Sequence, residues 1–318
     1  MSSRPRILIA GAGALGSVFG GLLREREHDV TLLGREPHLR AIQKDGLRID
    51  GIWGEHFAAG FACAENASDL TGPFDVALVC VKSYDTAGIA TQIAPVLASD
   101  GIVLSLQNGL GNVEMLEEHF GAARVLGARV IFGAVVDAPG RARVTVYAEP
   151  VLVGPWCAMS ADPRHALAHK WADIFAACGI PSEYTGQLPA ALWAKVFYNA
   201  ALNPLGALLS LHYGALPERP EVRAAMDRVI DEAFEVAIAE GVRLPWSDAA
   251  AYRDVFYDRL VPSTYDHRSS MLQDLERGRR TEIDAINGAV WRRGNARGMS
   301  APYNETLTRL VHAREQAR

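Results

Sequence analysis

Residues 6–16 read Arg6-Ile7-Leu8-Ile9-Ala10-Gly11-Ala12-Gly13-Ala14-Leu15-Gly16, an apolar run that closes on the spacing G-x-G-x-x-G. Strand character over Arg6 to Ala10 stops at the first glycine, helical periodicity runs from Ala14 to about Arg26, and a second strand follows at Asp29 to Leu33. A glycine turn inside a complete strand, helix, strand unit points to dinucleotide binding in a doubly wound sheet. Gly11 permits the tight turn, Gly13 lets a pyrophosphate approach the backbone, and Gly16 lets the helix lie close on the strand. Ala14 and Leu15, with Gly16, then form the helix N-terminus that faces the anion.

Outward from this unit, the tip of the second strand reads Leu33-Gly34-Arg35-Glu36. An acid at the tip would bond the ribose 2′-hydroxyl of NAD, whereas an arginine accommodates the 2′-phosphate of NADP. Gly34 leaves space beside the Arg35 guanidinium, which can grip a phosphate through two N–H groups. NADP (NADPH) is therefore the expected cofactor; the alternative is a solvated Arg35 with Glu36 on the ribose. Lys82 ends a strand spanning Phe74 to Val81 and falls on the same carboxyl edge, with a plain surface lysine as its alternative.

Beyond it the pattern predicts a helical segment from about Tyr84 to Leu97 and a strand at Ile102 to Leu106 that ends in Gln107-Asn108-Gly109. Close-spaced strands follow at Arg124 to Val136, Arg143 to Ala148 and Val151 to Val153, so the sheet is expected to finish antiparallel. After Tyr184-Thr185-Gly186 the reading turns helical: Leu188 to Leu211, Glu221 to Glu240, Trp246 to Leu260, His267 to Arg277, Glu282 to Arg297 and Tyr303 to Arg314. The expected fold is α/β, with an N-terminal Rossmann-type doubly wound sheet domain over residues 1–186 and an all-helical C-terminal domain over 187–318.

Composition narrows the class. With 49% hydrophobic and 22% charged residues, the chain has ample material for a core. Thirty-two Lys plus Arg against 37 Asp plus Glu leave a net charge of −5, which gives no footprint for nucleic acid. Cys63, Cys80, Cys157 and Cys178 form no C-x-x-C pair, so neither a metal site nor a disulfide framework is expected, and a cytoplasmic location fits. Ile7 to Leu23 superficially mimics a signal peptide, but five glycines break its apolar surface, and no membrane span is expected.

The helical half carries a second constellation. Lys195, Asn199 and Asn203 recur every four residues on one helix, within roughly 80° of one face and over about 12 Å. Two amides beside a lysine on an otherwise apolar face need hydrogen-bond partners; the alternative is that the amides tie the helix to its neighbours while the lysine reaches water. Pro204 follows directly and is expected to bend the helix. Farther on come Ser269-Ser270-Met271-Leu272-Gln273-Asp274-Leu275 and Thr281-Glu282-Ile283-Asp284-Ala285-Ile286-Asn287-Gly288. Thr281 reads as an N-cap with Glu282 and Asp284 in the first turn, a role that leaves Ser270 and Asn287 unexplained.

On these motifs the chain resembles the ketopantoate reductase (2-dehydropantoate 2-reductase) family over nearly its whole length. The resemblance implies that Lys195 is the catalytic lysine, that Asn108, Asn199, Asn203, Ser270 and Glu282 contact substrate, and that Arg35 and Lys82, with Asn108 also at the cofactor, bind NADP. His267 stands where some members carry an asparagine, and no role is assigned to it. The implied reaction is hydride transfer to the C2 carbonyl of a small-molecule 2-oxo acid, with Lys195 as proton donor, its pKa lowered by partial burial. A homodimer is the candidate assembly. The competing readings are reduction of a different branched 2-oxo acid to a D-2-hydroxy acid and, from another class, a non-catalytic NADP sensor, which would have no use for Lys195 and its asparagines.

Overall fold

The computed structural model describes residues 4–156 and 161–317; Cys157 lies outside the described residues. The chain separates into two compact units. One holds the chain up to Gln107 together with Asn112–Leu188, and the other holds Asn108–Gly111 and everything from Pro189 on.

In the first unit, β1 (Arg6–Ala10), α1 (Ala14–Glu25) and β2 (Asp29–Leu33) start and stop where the glycine turn and the apolar pattern place them. Then come α2 (His38–Asp45), β3 (Leu47–Gly51), β4 (His56–Ala58) and β5 (Ala62–Ala64). Next are β6 (Phe74–Val79), α3 (Thr86–Ile93), β7 (Leu97–Ser105), α4 (Asn112–Phe120), β8 (Val125–Ala138), β9 (Arg141–Gly154), α5 (Arg164–Ala177) and β10 (Ser182–Tyr184). The sheet runs β4-β3-β9-β8-β7-β6-β1-β2-β5, with β10 on β9.

From β5 to β8 every pairing is parallel, and β9 turns back antiparallel on β8. The two expected runs after residue 141 are thus a single 14-residue strand. The sheet does not end there, because β3 and β10 both join β9 in parallel. Ile7 and Ile9 point to the face where Phe19 of α1 meets Phe175 of α5, ring centres 5.0 Å apart. Leu8, equally buried, alternates to the other face.

Among the described residues the second unit is helices and turns only. It contains α6 (Leu188–Leu209, its first residue still in the sheet unit), α7 (Pro220–Ala239), and α8 (Ala249–Val255), which continues through a π turn at Phe256–Leu260 into α9 (Val261–Ser263). α10 (Ser270–Glu276), α11 (Asn287–Asn295) and α12 (Pro302–Gln316) complete it. α8 and α10 start later than the periodicity suggests, each at a true cap: Asp248 accepts from the Ala251 N–H and Ser269 from the Leu272 N–H.

One expectation is corrected outright. No α-helix starts at Glu282: residues Ile283–Ala285 make a 3₁₀ turn, and α11 starts only at Asn287. Thr281 Oγ1 accepts the Ile283 N–H at 3.3 Å, a local turn bond rather than a helix cap. Glu282 is therefore not a first-turn acid on an α-helix dipole.

Candidate active site

The three glycines of the turn have three different surroundings. Gly11 has φ +112°, a backbone that side chains rarely adopt, and a Cβ there would lie 2.7 Å from the Val81 nitrogen. At Gly16 a Cβ would lie 2.2 Å from the Gly11 carbonyl oxygen, so α1 could not sit so close with any other residue. Around Gly13 a Cβ would meet nothing within 4 Å. Gly13 brings no side-chain cap to α1, and the first turn holds no acid, so the chain supplies no side-chain anion to the first N–H groups of the helix. A helix start left uncapped in this way can receive an anion.

At the tip of β2, Arg35 is 90% exposed and reaches Asp85 at 4.0 Å. Asp85 closes the 3₁₀ turn that follows Lys82, its N–H bonded to the Lys82 carbonyl at 2.8 Å. Arg35 and the Lys82 turn thus share one edge of the sheet. Glu36 is already gripped by Arg40 through both carboxylate oxygens, at 2.7 and 2.6 Å, which weighs against the ribose role. Gly34 serves packing: a Cβ there would strike Ala12 at 2.9 Å.

Burial pushes the Cys63 thiol up to about 11 and Cys80 higher still, so both stay protonated. Sequence reasoning missed a buried polar knot at the ends of β6 and β7. The Gln107 amide donates to Val81 O at 3.1 Å and to Thr86 Oγ1 at 2.7 Å, and Thr86 Oγ1 donates to Asn112 Oδ1 at 2.9 Å. One threonine therefore ties down both residues that flank the four-residue segment counted with the helical unit.

In the helical unit, Lys195 of α6 donates to Asn108 Oδ1 at 2.5 Å. The segment bearing Asn108 is seated on the turn after Glu282: Leu110 N–H bonds Ala285 O at 2.8 Å, and a Cβ on Gly109 would lie 2.4 Å from that oxygen. Asn108, Lys195 and the Glu282 turn are thus assembled from three distant stretches. Asn199, Asn203 and Glu282 are buried, Lys195 is half-buried and Ser270 is exposed at the start of α10.

Asn203 fits the tying alternative in part. The Tyr213 hydroxyl, held protonated by burial well above its ordinary range, donates to Asn203 Oδ1 at 2.5 Å. This fixes the amide, so the NH₂ end is what Asn203 offers elsewhere. The His267 ring lies 5.0 Å from Tyr213, and burial lowers its pKa, favouring the neutral ring. Nothing local in the sequence marks Tyr213; its role depends on a turn 10 residues beyond Asn203.

The sheet unit thus offers an anion cradle with a cation at its edge, and the helical unit offers an ammonium among buried neutral amides. Residues 7–157 match the family described as Ketopantoate reductase PanE/ApbA, and residues 187–315 match its C-terminal region. A 2-dehydropantoate 2-reductase of Aquifex aeolicus (strain VF5) is 37% identical over 98% of this chain and 97% of its own. The crystal structure of a PanE/ApbA family ketopantoate reductase from Ralstonia eutropha JMP134 covers 98% of both chains at 36% identity, with a TM-score of 0.86. D-mandelate dehydrogenase in its ternary structure with NADH and anilino(oxo)acetate is also similar, at 27% identity over 98% of this chain and 99% of its own, with a TM-score of 0.87. Matched over both of its halves at this identity, the chain belongs to the ketopantoate reductase family.

Proposed function

We propose that the protein reduces 2-dehydropantoate to (R)-pantoate with NADPH, a step of pantothenate and coenzyme A biosynthesis, in the cytoplasm. The observation that carries this reading is the Lys195–Asn108 hydrogen bond on a helix face that also buries Asn199 and Asn203. When bound, NADPH supplies the hydride from C4 of its nicotinamide. The chain up to residue 186 is the cofactor domain in this reading: Gly11, Gly13, Ala14, Leu15 and Gly16 would receive the pyrophosphate, while Arg35 and Lys82 would receive the 2′-phosphate end. The remainder, 187–318, is the substrate domain.

Reduction of a carbonyl places negative charge on its oxygen, and an ammonium beside that oxygen stabilises the charge and then delivers a proton. Lys195 is that group, with Asn108 Oδ1 orienting its Nζ. The NH₂ end of Asn203, the Asn199 amide and the Ser270 hydroxyl hold the substrate carboxylate and fix the presented carbonyl face. Glu282, buried and outside any α-helix, accepts from the substrate hydroxyl. Simpler 2-oxo acids lack that donor, which makes the carboxylate a selective element.

The likeness to D-mandelate dehydrogenase favours a second reading, in which another branched or aryl 2-oxo acid is reduced. NADPH and NADH oxidation measured with 2-dehydropantoate beside branched and aryl 2-oxo acids separates the two. The first reading requires kcat/KM to be highest for 2-dehydropantoate with NADPH; a higher value for an aryl 2-oxo acid replaces it with the second.

A further inference from the structure

Helix α6 contains a built-in defect. Pro204 lies within it, has no N–H, and its ring presses against the carbonyl four residues back. That carbonyl belongs to Ala200, in the turn between Asn199 and Asn203, and once buried it needs a donor from elsewhere. Asn287 provides one: its Nδ2 donates to Ala200 O at 3.0 Å. The second hydrogen of the same amide goes to Asn304 Oδ1, also at 3.0 Å.

The direction of this relay is forced from its far end. Glu232, a buried carboxylate that can only accept, takes Asn304 Nδ2 at 2.8 Å and the backbone N–H groups of Tyr303 and Asn304 at 2.9 and 3.0 Å. Asn304 must therefore turn its NH₂ end to Glu232 and its oxygen to Asn287. Asn287 must then turn its own NH₂ end to Asn304 and Ala200. Both asparagines are wholly buried, and Asn287 Oδ1 has no hydrogen-bond partner among the described residues. A leucine of similar shape would avoid that cost, so packing alone does not account for an asparagine here.

We propose that Asn287 is a positioning residue: it replaces the hydrogen bond that Pro204 cannot make and thereby sets the turn carrying Asn199 and Asn203 relative to Lys195. The link to turnover rests on the reductase reading above; the link to α6 does not.

The test is a double-variant cycle of Asn287→Leu, Pro204→Ala and the two combined. It is read by steady-state kinetics with 2-dehydropantoate, by NADPH titration, and by amide hydrogen exchange along α6. Asn287→Leu should lower kcat/KM for the oxo acid about tenfold, inside the roughly hundredfold that an ångström of misplacement can cost, with faster exchange around residues 199–203 and unchanged NADPH affinity. Pro204→Ala alone should keep activity. Combined with Asn287→Leu it should restore most of both losses, because the new N–H meets Ala200 O.

A double variant as impaired as Asn287→Leu, or normal behaviour of Asn287→Leu itself, overturns the proposal. If Asn287→Leu alone does not fold, recovery of folded protein in the double variant supports it, and failure of both overturns it. If the parent protein turns over no 2-oxo acid, the reductase reading falls while hydrogen exchange still decides this one.

Discussion

Two helix starts in this molecule meet the same difficulty in opposite ways. The first N–H groups of any α-helix lack intrahelical partners and carry partial positive charge. At α12 the chain supplies its own anion, with Glu232 accepting from the N–H groups of Tyr303 and Asn304. At α1 it supplies nothing: Gly13 has no side chain, the first turn has no acid, and the space beside Gly13 is open. A helix start closed by the protein's own carboxylate is a piece of scaffold. One left open above a glycine turn can take a charge that arrives with a ligand.

The sharpest way to break this division of labour is Lys195→Ala. If the sheet unit binds the cofactor and the helical unit does the chemistry, kcat should fall at least about a hundredfold, the low end for a positioned acid, with NADPH affinity unchanged. A comparable loss of NADPH binding would dissolve the division.

Next in size is Glu232→Ala, which removes the internal anion from α12. It leaves buried N–H donors unsatisfied, and the expected cost is about 1–3 kcal/mol of stability, read as a lower melting temperature. NADPH affinity should not change. KM for the oxo acid should rise as well, because the relay to Asn287 loses its anchor. A variant that melts like the parent would show that α12 needs no such closure.

The outer anion is tested at Arg35. Arg35→Ala should weaken NADPH roughly tenfold, the low end for a charge-assisted contact, since a guanidinium 90% exposed is well screened by water. NADH binding should hardly change. Gly13→Ala sharpens the point: φ at Gly13 is −83° and a Cβ there meets nothing. The free protein should therefore be as stable as the parent while NADPH binds more weakly. Equal weakening of NADH and NADPH by Arg35→Ala would remove the 2′-phosphate from the argument.

How far these features could be read beforehand follows the same contrast. The α1 site is local: turn, helix and flanking strands lie within residues 6–33, and each glycine acts on neighbours in sequence or on the next strand. The Lys195, Asn199 and Asn203 stripe was legible for the same reason, since four-residue spacing is a property of one helix. What escaped depends on distant pairings. β3 exists because Arg48 to Gly51 pair with Arg141 to Val144, and five residues ending in Ile-Asp-Gly carry little strand signal alone. Asn203 is oriented by Tyr213, and Glu282 sits on a turn that only the segment around Leu110 completes. Pro204 is the instructive case. A bend was expected at Pro204, but nothing in the sequence near it named Asn287 as the group that meets the Ala200 carbonyl.

The smallest expected effect reaches the α1 site from its side. His38 is buried; its Nδ1 accepts the Gly140 N–H at 3.0 Å and so carries no proton. Its Nε2 lies 2.8 Å from Ser17 Oγ, one turn into α1, and must then be the protonated nitrogen, donating to the hydroxyl. Burial holds the His38 pKa below the ordinary 6.5. An unfolded chain takes up the proton near 6.5 while the folded one resists it, so stability from this group is complete above pH 6.5 and is lost as pH falls through the lowered folded value. Protonation would also place a second donor against the Gly140 N–H, pushing the β8–β9 turn away from α2. His28, shifted down by burial and by Arg4, and His267, shifted down by burial, act in the same direction. Replacing His38 should therefore soften the acid slope without abolishing it. His38→Gln keeps one donor and one acceptor but cannot titrate. Melting curves from pH 8 to 5 should show the parent falling more steeply than the variant below pH 6.5, with NADPH affinity declining in parallel because Ser17 lies one turn from the cradle. Superimposable slopes would mean that the His38 bridge is not what holds α1 from that side.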